Sequence, residues 1–335
     1  MQDTEVAPPV LRGRRVHFVG IGGCGMSGLA RIVAARGAHC TGTDRVSSIF
    51  TQQLQAENIP VAFEQTAESV PDPIDLMVIS AAVDDDHPEV AEARRRGVEV
   101  LKYAQMLGRL MIGRTGVAIA GTHGKSTTTA MLAHTLIHCD LDPTFVVGAQ
   151  CDQIGGGARV GRADMLIAEA CEFDRSFHNF HPTHSVILNV EEDHLDIYGS
   201  LDGVLEAFCK FAERTPEHGT LLIGHEGACR TPVAAGVHCP VETIGYAPQA
   251  DWVIDTQQTL GAQHVTIRQG DRLVVQFDGR LPGEHMAYNA AVAAVTAHRL
   301  GGDWQAIGEA LSSFAGLDRR MQPMGQVCGV TVVDD

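Results

Sequence analysis

Apolar residues along the chain gather in short runs of three to five, and between the runs they recur every three or four positions; this is the pattern of strands followed by amphipathic helices. Val16-His17-Phe18-Val19 reads as a strand and Met26 to Ala35 as a helix, a βα start. Leu76 to Ile79 and Val98 to Val100 read as further strands, with Pro88 to Arg96 a helix between them, Pro88 sitting in the first turn where its missing N–H costs nothing. The pattern continues to about Met111, and Ile112 to Thr115 is a short joint before a new strand, Gly116 to Ala120. Strands follow at Phe145–Val147, Met165–Ile167, Ser185–Leu188 and Leu221–Ile223, spaced by helical stretches, which implies a second, mainly parallel sheet. From Trp252 to Phe277 the residues alternate around the turn Gln269-Gly270-Asp271, predicting an antiparallel hairpin added to that sheet. Helices are expected at Ala287–Arg299 and Trp304–Ser313, and a last strand at Val327–Val333.

A length of 335 residues suits two or three domains with sizeable cores. With 25 Lys+Arg against 41 Asp+Glu, the formal charge of −16 disfavours nucleic acid and anionic lipid as general partners, so any phosphate must be held locally. Nine cysteines without a CxxC pair do not form a secreted disulfide framework, and a reduced, cytoplasmic setting is expected. No apolar run approaches the ~18 residues that span a bilayer, so membrane insertion is not expected. The 36 glycines and 5% aromatic residues suit tight strand-to-helix turns and close packing.

Two of those turns carry chemistry. Gly20-Ile21-Gly22-Gly23-Cys24-Gly25 follows a strand and opens a helix, so its backbone N–H groups and helix dipole are placed to hold a diphosphate. Asp44 lies 19 residues after Gly25, where an acidic side chain reaches a ribose hydroxyl. On this grammar alone the ligand is NAD, a nucleotide-sugar, or nothing, if the turn is structural. Ala120-Gly121-Thr122-His123-Gly124-Lys125-Ser126-Thr127 joins a strand to a helix as a phosphate loop does, although Ile119 occupies the place of the first glycine in the strict pattern. Backbone donors there cradle phosphates, Lys125 offsets charge between the β- and γ-phosphates, and the Ser126 hydroxyl suits Mg²⁺. A glycine turn for one nucleotide and a phosphate loop for another, in adjacent units, point to a ligase that acts on a nucleotide-borne substrate.

Nearly the whole chain resembles the Mur ligase family, most closely its branch acting on UDP-N-acetylmuramate. The Gly20–Gly28 stretch resembles the loop that holds the UDP diphosphate, which implies a UDP-sugar site of Gly20, Gly22, Gly23, Gly25, Met26, Ser27 and Asp44 and sets NAD aside. Gly121 to Ser126 resembles the family ATP loop; Glu169 in Ile167-Ala168-Glu169-Ala170 resembles its magnesium carboxylate, and Asn189 to His194 its Asn-x-x-x-Asp-His segment. The resemblance implies ATP and Mg²⁺ as cofactors, with Ser126 and Glu169 on a first cation, His194 on a second, and Lys125, Glu169 and His194 carrying catalysis. It further implies ATP contacts from Gly121, Thr122, His123, Gly124, Lys125, Ser126, Thr127 and Asn189. Gly283 to Asn289 resembles the adenine segment, with Met286 in place of its first asparagine, which leaves His285 and Asn289 as contacts. Arg319-Arg320-Met321-Gln322 resembles the family junction, placing Arg320 near ATP and Asp335 near its ribose. The spacing His178, His181, His184 does not make a zinc site, because Pro182 interrupts any helix that would align them.

The expected fold class is therefore α/β: a Rossmann-like parallel-sheet domain over residues 1–113, a central P-loop ATPase-type α/β domain with the added hairpin over 114–320, and the start of a C-terminal amino-acid-binding domain over 321–335. The implied substrates are UDP-N-acetylmuramate and L-alanine, joined through an acyl phosphate without any side-chain nucleophile. The expectation is also that the full gene product is longer and that this piece ligates poorly or not at all alone. The family's murein tripeptide recycling ligase, a non-catalytic nucleotide-binding module and a nicotinamide oxidoreductase remain as alternatives. Neither the base that deprotonates the amine nor the oligomeric state is readable.

Overall fold

The computed structural model describes residues 9–259, 262–318, 322–327 and 330–334. Five strands, β1 (Arg15–Val19), β2 (His39–Thr43), β3 (Val61–Ala62), β4 (Leu76–Ile79) and β5 (Glu99–Lys102), pair in parallel in the order β3-β2-β1-β4-β5. The helices α1 (Cys24–Ala35), α2 (Ile49–Ala56), α3 (Pro88–Arg95) and α4 (Tyr103–Met111) connect and cover them. The order reverses at β1, and in such sheets ligands bind beyond the carboxyl end of the strand at the reversal. The glycine turn sits there.

A buried polar cluster fixes that turn from behind. His17 Nε2 meets Glu89 Oε2 of α3 at 2.8 Å, and Thr43 Oγ1 donates to Glu89 Oε1 at 2.8 Å. The Thr43 carbonyl in turn accepts the N–H groups of Gly20 and Ile21 at 2.9 and 3.0 Å. A buried carboxylate is costly unless hydrogen-bonded, and here its bonds tie α3, β1 and β2 into one unit under the turn.

The second sheet has ten strands: β6 (Thr115–Ala120), β7 (Thr144–Val146), β8 (Ala158–Arg159), β9 (Met165–Glu169), β10 (His184–Ile187), β11 (Thr220–Gly224), β12 (Val241–Gly245), β13 (Trp252–Thr259), β14 (Ala262–Gln269) and β15 (Arg272–Gly279). They run in the order β15-β14-β13-β12-β11-β10-β6-β9-β7-β8, so β6 lies between β10 and β9 at the reversal point. The strands from β7 to β13 are parallel along the sheet, β8 is antiparallel on one edge, and β13, β14 and β15 form a three-stranded antiparallel meander. The expected hairpin of β14 and β15 is thus extended by β13, whose register with β14 runs from Trp252↔Gln269 to Thr259↔Ala262. Helices α5 (Lys125–His138), α6 (Leu195–Tyr198), α7 (Leu201–Ala212), α8 (Arg230–Ala235), α9 (Glu284–Arg299) and α10 (Trp304–Ser313) complete this unit. None of the described helices is long and apolar enough to cross a membrane.

The strand expected at Val327–Val333 is found as β17 (Val330–Asp334), and a strand that was not expected, β16 (Gln322–Val327), pairs with it antiparallel.

One apolar core joins the two sheets. Leu29, Met106 and Leu107 of the first unit belong to the same buried cluster as Leu166, Phe177 and Phe180 of the second. The approach is close enough to require glycine: a Cβ on Gly28 of α1 would collide with the Cβ of Ala158 on β8. The Arg31 guanidinium adds a bond to the Ala158 carbonyl at 3.1 Å.

On the far face of the ten-stranded sheet, His134 of α5 reaches α10, with Nε2 3.0 Å from Ser313 Oγ and 3.1 Å from the Ala310 carbonyl. Burial holds its pKa below the ordinary histidine value, partly offset by the Ala310 carbonyl. Unfolding returns it to about 6.5. The unfolded chain therefore binds more protons at mildly acid pH, and the stability from neutral His134 is present above about pH 6.5 and lost as pH falls. Calorimetric melting temperatures should drop between pH 7.5 and 5.5, and His134→Gln should drop less over the same interval; equal slopes would rule the assignment out.

Candidate active site

Three neighbouring strands deliver the phosphate-loop chemistry to one place. The loop after β6 carries Gly121 to Gly124, β9 ends on Glu169, and Asn189 follows β10. Gly124 is the N-cap of α5 at φ 86°, a left-handed conformation, and a Cβ there would meet Asn289 Oδ1 at 2.6 Å, so only glycine fits. Asn189 clamps the loop through both ends of its amide, accepting from His123 N at 2.8 Å and donating to the His123 carbonyl at 3.2 Å. Thr122 completes the clamp, its Oγ1 accepting from Glu191 N at 2.9 Å. Thr127 is buried in the first turn of α5.

Lys125 curls back over this loop. Its Nζ donates to the carbonyls of Gly121 and Thr122 at 2.6 and 3.1 Å and to Glu172 Oε1 at 2.9 Å. Beside it the Ser126 hydroxyl donates to Glu169 Oε1 at 3.0 Å, while Glu169 Oε2 accepts from Gly148 N at 2.9 Å. The third expected metal ligand stands apart from that pair: His194, at φ 48°, groups with Glu172 and Asp193, their donor atoms all within 4.8 Å of one another. Glu172 had not been singled out from the sequence. Its signal was a second carboxylate three residues beyond Glu169, just past the end of an apolar strand.

The glycine turn abuts this centre. The Cys24 thiol lies 3.7 Å from the Val147 carbonyl, and the next residue, Gly148, is the one that binds Glu169. Burial raises the Cys24 thiol pKa, and the Glu169 charge adds to the rise. Tyr103, whose hydroxyl lies 3.1 Å from where a Cβ on Gly25 would sit, is raised chiefly by burial and then by Glu169, Cys24 and Cys171. The turn and the phosphate loop thus lie on opposite sides of Glu169.

Within the turn, α1 begins at Gly23 without a side-chain cap, which leaves first-turn N–H groups for a ligand. Three of the expected ligands have contacts within the protein. Asp44 Oδ2 already accepts from Gly22 N at 2.7 Å and Oδ1 from Val46 N at 3.2 Å, so its carboxylate braces the turn. The Met26 side chain lies in the shared core, so only its backbone faces a ligand, whereas the Ser27 N–H donates to the Gly23 carbonyl at 2.9 Å and its hydroxyl to the Cys24 carbonyl at 3.0 Å.

In the adenine segment, Asn289 is buried against Gly124, at the phosphate end of the loop, while His285 is exposed. Met286 packs in the core beneath α9. Arg320 and Asp335 lie outside the described residues. His178 and His184 engage the Ala207 carbonyl and Thr220 Oγ1, each at 2.8 Å.

The pattern of the Mur ligase family, catalytic domain, matches residues 15–115, and that of the Mur ligase middle domain matches residues 119–297. The UDP-N-acetylmuramate--L-alanine ligase of Agathobacter rectalis is 38% identical over 326 residues, 96% of this chain and 70% of that protein. Among solved structures, UDP-N-acetylmuramate-alanine ligase from Thermotoga maritima superposes with a TM-score of 0.80 at 28% identity, covering 96% of this chain and 74% of that one. The UDP-N-acetylmuramate:L-alanyl-gamma-D-glutamyl-meso-diaminopimelate ligase from Neisseria meningitides gives 0.83 at 25% identity, over 92% of this chain and 100% of that one.

Proposed function

The chain belongs to the Mur ligase family, and from that premise we propose that it joins L-alanine to the lactyl carboxylate of UDP-N-acetylmuramate in an ATP-dependent ligation of peptidoglycan precursor synthesis. The observation that carries this reading is the convergence of the two nucleotide turns on Glu169: Ser126 binds it from the phosphate-loop side, and Gly148 links it to the Cys24 side. A ligase of this kind must bring a carboxylate on one nucleotide to the terminal phosphate of another, and proximity of that sort supplies much of the rate.

In the proposed sequence the lactyl carboxylate attacks the γ-phosphorus of ATP, giving an acyl phosphate and ADP; the amine of L-alanine then attacks the acyl carbon and releases phosphate. The free N–H groups at the start of α1, from Gly23 onward, hold the sugar diphosphate, with Gly20, Gly22 and Asp44 fixing the turn. Residues 121–124 and the first turn of α5 hold the triphosphate, Lys125 offsets its charge, and Asn189 keeps the loop in shape. A hydroxyl and a carboxylate 3.0 Å apart are hard oxygen donors that fit Mg²⁺, and Ser126 and Glu169 would hold it. Bound there, the ion neutralises charge on the transferring phosphoryl group. His194, with Asp193 and Glu172, forms the second position that fits a cation.

The choice of L-alanine follows the curated relatives of 36–39% identity, which carry that activity in their names; among solved structures the alanine ligase is 28% and the tripeptide ligase 25% identical. Sustained ADP formation, beyond a single turnover, should require UDP-N-acetylmuramate and L-alanine together, with Mg²⁺, in a coupled assay. Turnover with L-alanyl-γ-D-glutamyl-meso-diaminopimelate in place of alanine, or turnover indifferent to the muramate, would sink the proposal.

A further inference from the structure

Lys125 has three N–H donors, and all three are engaged: two on its own loop's carbonyls, the third on Glu172. Glu172 is 2% exposed, and its Oε2 lies 2.9 Å from the same ammonium but at an angle that makes no hydrogen bond. It thus has a buried acceptor with unused capacity. The carboxylate comes from a segment fixed independently of the phosphate loop. Asp174 and Arg175, at φ 52° and 53°, turn the chain sharply behind it, and the Tyr198 hydroxyl binds the Glu172 carbonyl. With the backbone held at both points, the side chain is the part free to move, and near the oxygen that Lys125 holds stands His194, Nε2 3.9 Å from Oε1, next to Asp193.

We infer that Glu172 is a positioning residue that restrains Lys125 in the nucleotide-free chain, yields it when phosphate arrives, and then turns its carboxylate to the cation position beside Asp193 and His194. This rests on the proposed ATP site. Incoming phosphate oxygens must compete with a buried carboxylate for the ammonium, and a charge-assisted bond of this kind is strong. Breaking it leaves a buried negative charge that a divalent cation compensates. Nucleotide binding is therefore weak without Mg²⁺ and strong with it, and Glu172 is the residue that sets the difference.

The test is calorimetric titration of ATP, in EDTA and in Mg²⁺, into wild type, Glu172→Gln, Lys125→Met and the double variant, with melting curves as a folding control. Glu172→Gln should bind Mg²⁺-free ATP about tenfold more tightly than wild type, the equivalent of one charged hydrogen bond released, and should gain less from Mg²⁺. In the Lys125→Met background the same change should give no tightening, because there is no ammonium to release. Should the glutamine variant not fold, Glu172→Asp, which keeps the charge but falls short of Lys125, should still tighten Mg²⁺-free binding. Unchanged or weaker Mg²⁺-free affinity in a folded Glu172 variant overturns the inference. So does equal tightening with Lys125→Met, which would indicate plain repulsion between Glu172 and phosphate. Failure of wild type to bind ATP at all, with or without Mg²⁺, would instead remove the ATP site itself.

Discussion

Glu169→Gln should lower ADP formation by about a hundredfold to a thousandfold and flatten its dependence on Mg²⁺, without unfolding the protein. The glutamine Oε1 can still accept from either Ser126 or Gly148, the two groups now held at 3.0 and 2.9 Å, so the local geometry is largely retained. What is lost is the formal charge at the meeting point of the two turns. Phosphoryl transfer depends on electrostatic stabilisation more than on covalent assistance, and removing one preorganised group from such a site costs about a hundredfold to a thousandfold in rate. The decisive measurement is turnover against Mg²⁺ concentration, with ATP affinity in EDTA as the reference. A variant that keeps wild-type turnover at saturating Mg²⁺ would mean that Glu169 only shapes the loop.

Gly28→Leu probes the spacing between the turns without touching either. The new side chain must displace β8 from α1, because even its Cβ has no room beside Ala158. Overpacking of this kind costs about 1–3 kcal/mol, which a core shared by both sheets can absorb. The turns should then each keep their own ligand within a few-fold, while the coupled reaction falls by about a hundredfold, the usual penalty for a displacement of reacting groups by about 1 Å. Separate titrations with UDP-N-acetylmuramate and ATP, set beside turnover, resolve the two effects. Loss of binding and turnover in equal measure would show that Gly28 acts on a single site rather than on the distance between two.

The α/β order and both glycine turns were legible because each rests on local grammar: a strand, a tight turn and a helix start within about ten residues; Glu169 came from the family resemblance. The third strand of the meander, β13, was missed since alternation marks a strand but not its partner. Strand β16 was missed because Gln322-Pro323-Met324-Gly325 does not carry the apolar pattern of a strand. At the site, the distance along the chain picked out Asp44 but not its contacts with Gly22 and Val46, which depend on the turn of the loop. Glu172 escaped notice because its significance lies in a contact with Lys125, 47 positions away. Met286 is the converse case: it breaks the adenine pattern in the sequence, and its burial under α9 shows why an apolar side chain is tolerated there.

Leu29 and Met106 cannot lose their packing without exposing Leu166 and Phe177, so heat should undo both halves of the molecule in one calorimetric peak. Occupying the phosphate loop with ATP alone would then protect residues around Cys24 from thermolysin, though they belong to the other nucleotide turn. Either half expressed by itself would show a sticky apolar wall to the solvent and precipitate. For an engineer, the two units are one part and not two interchangeable ones.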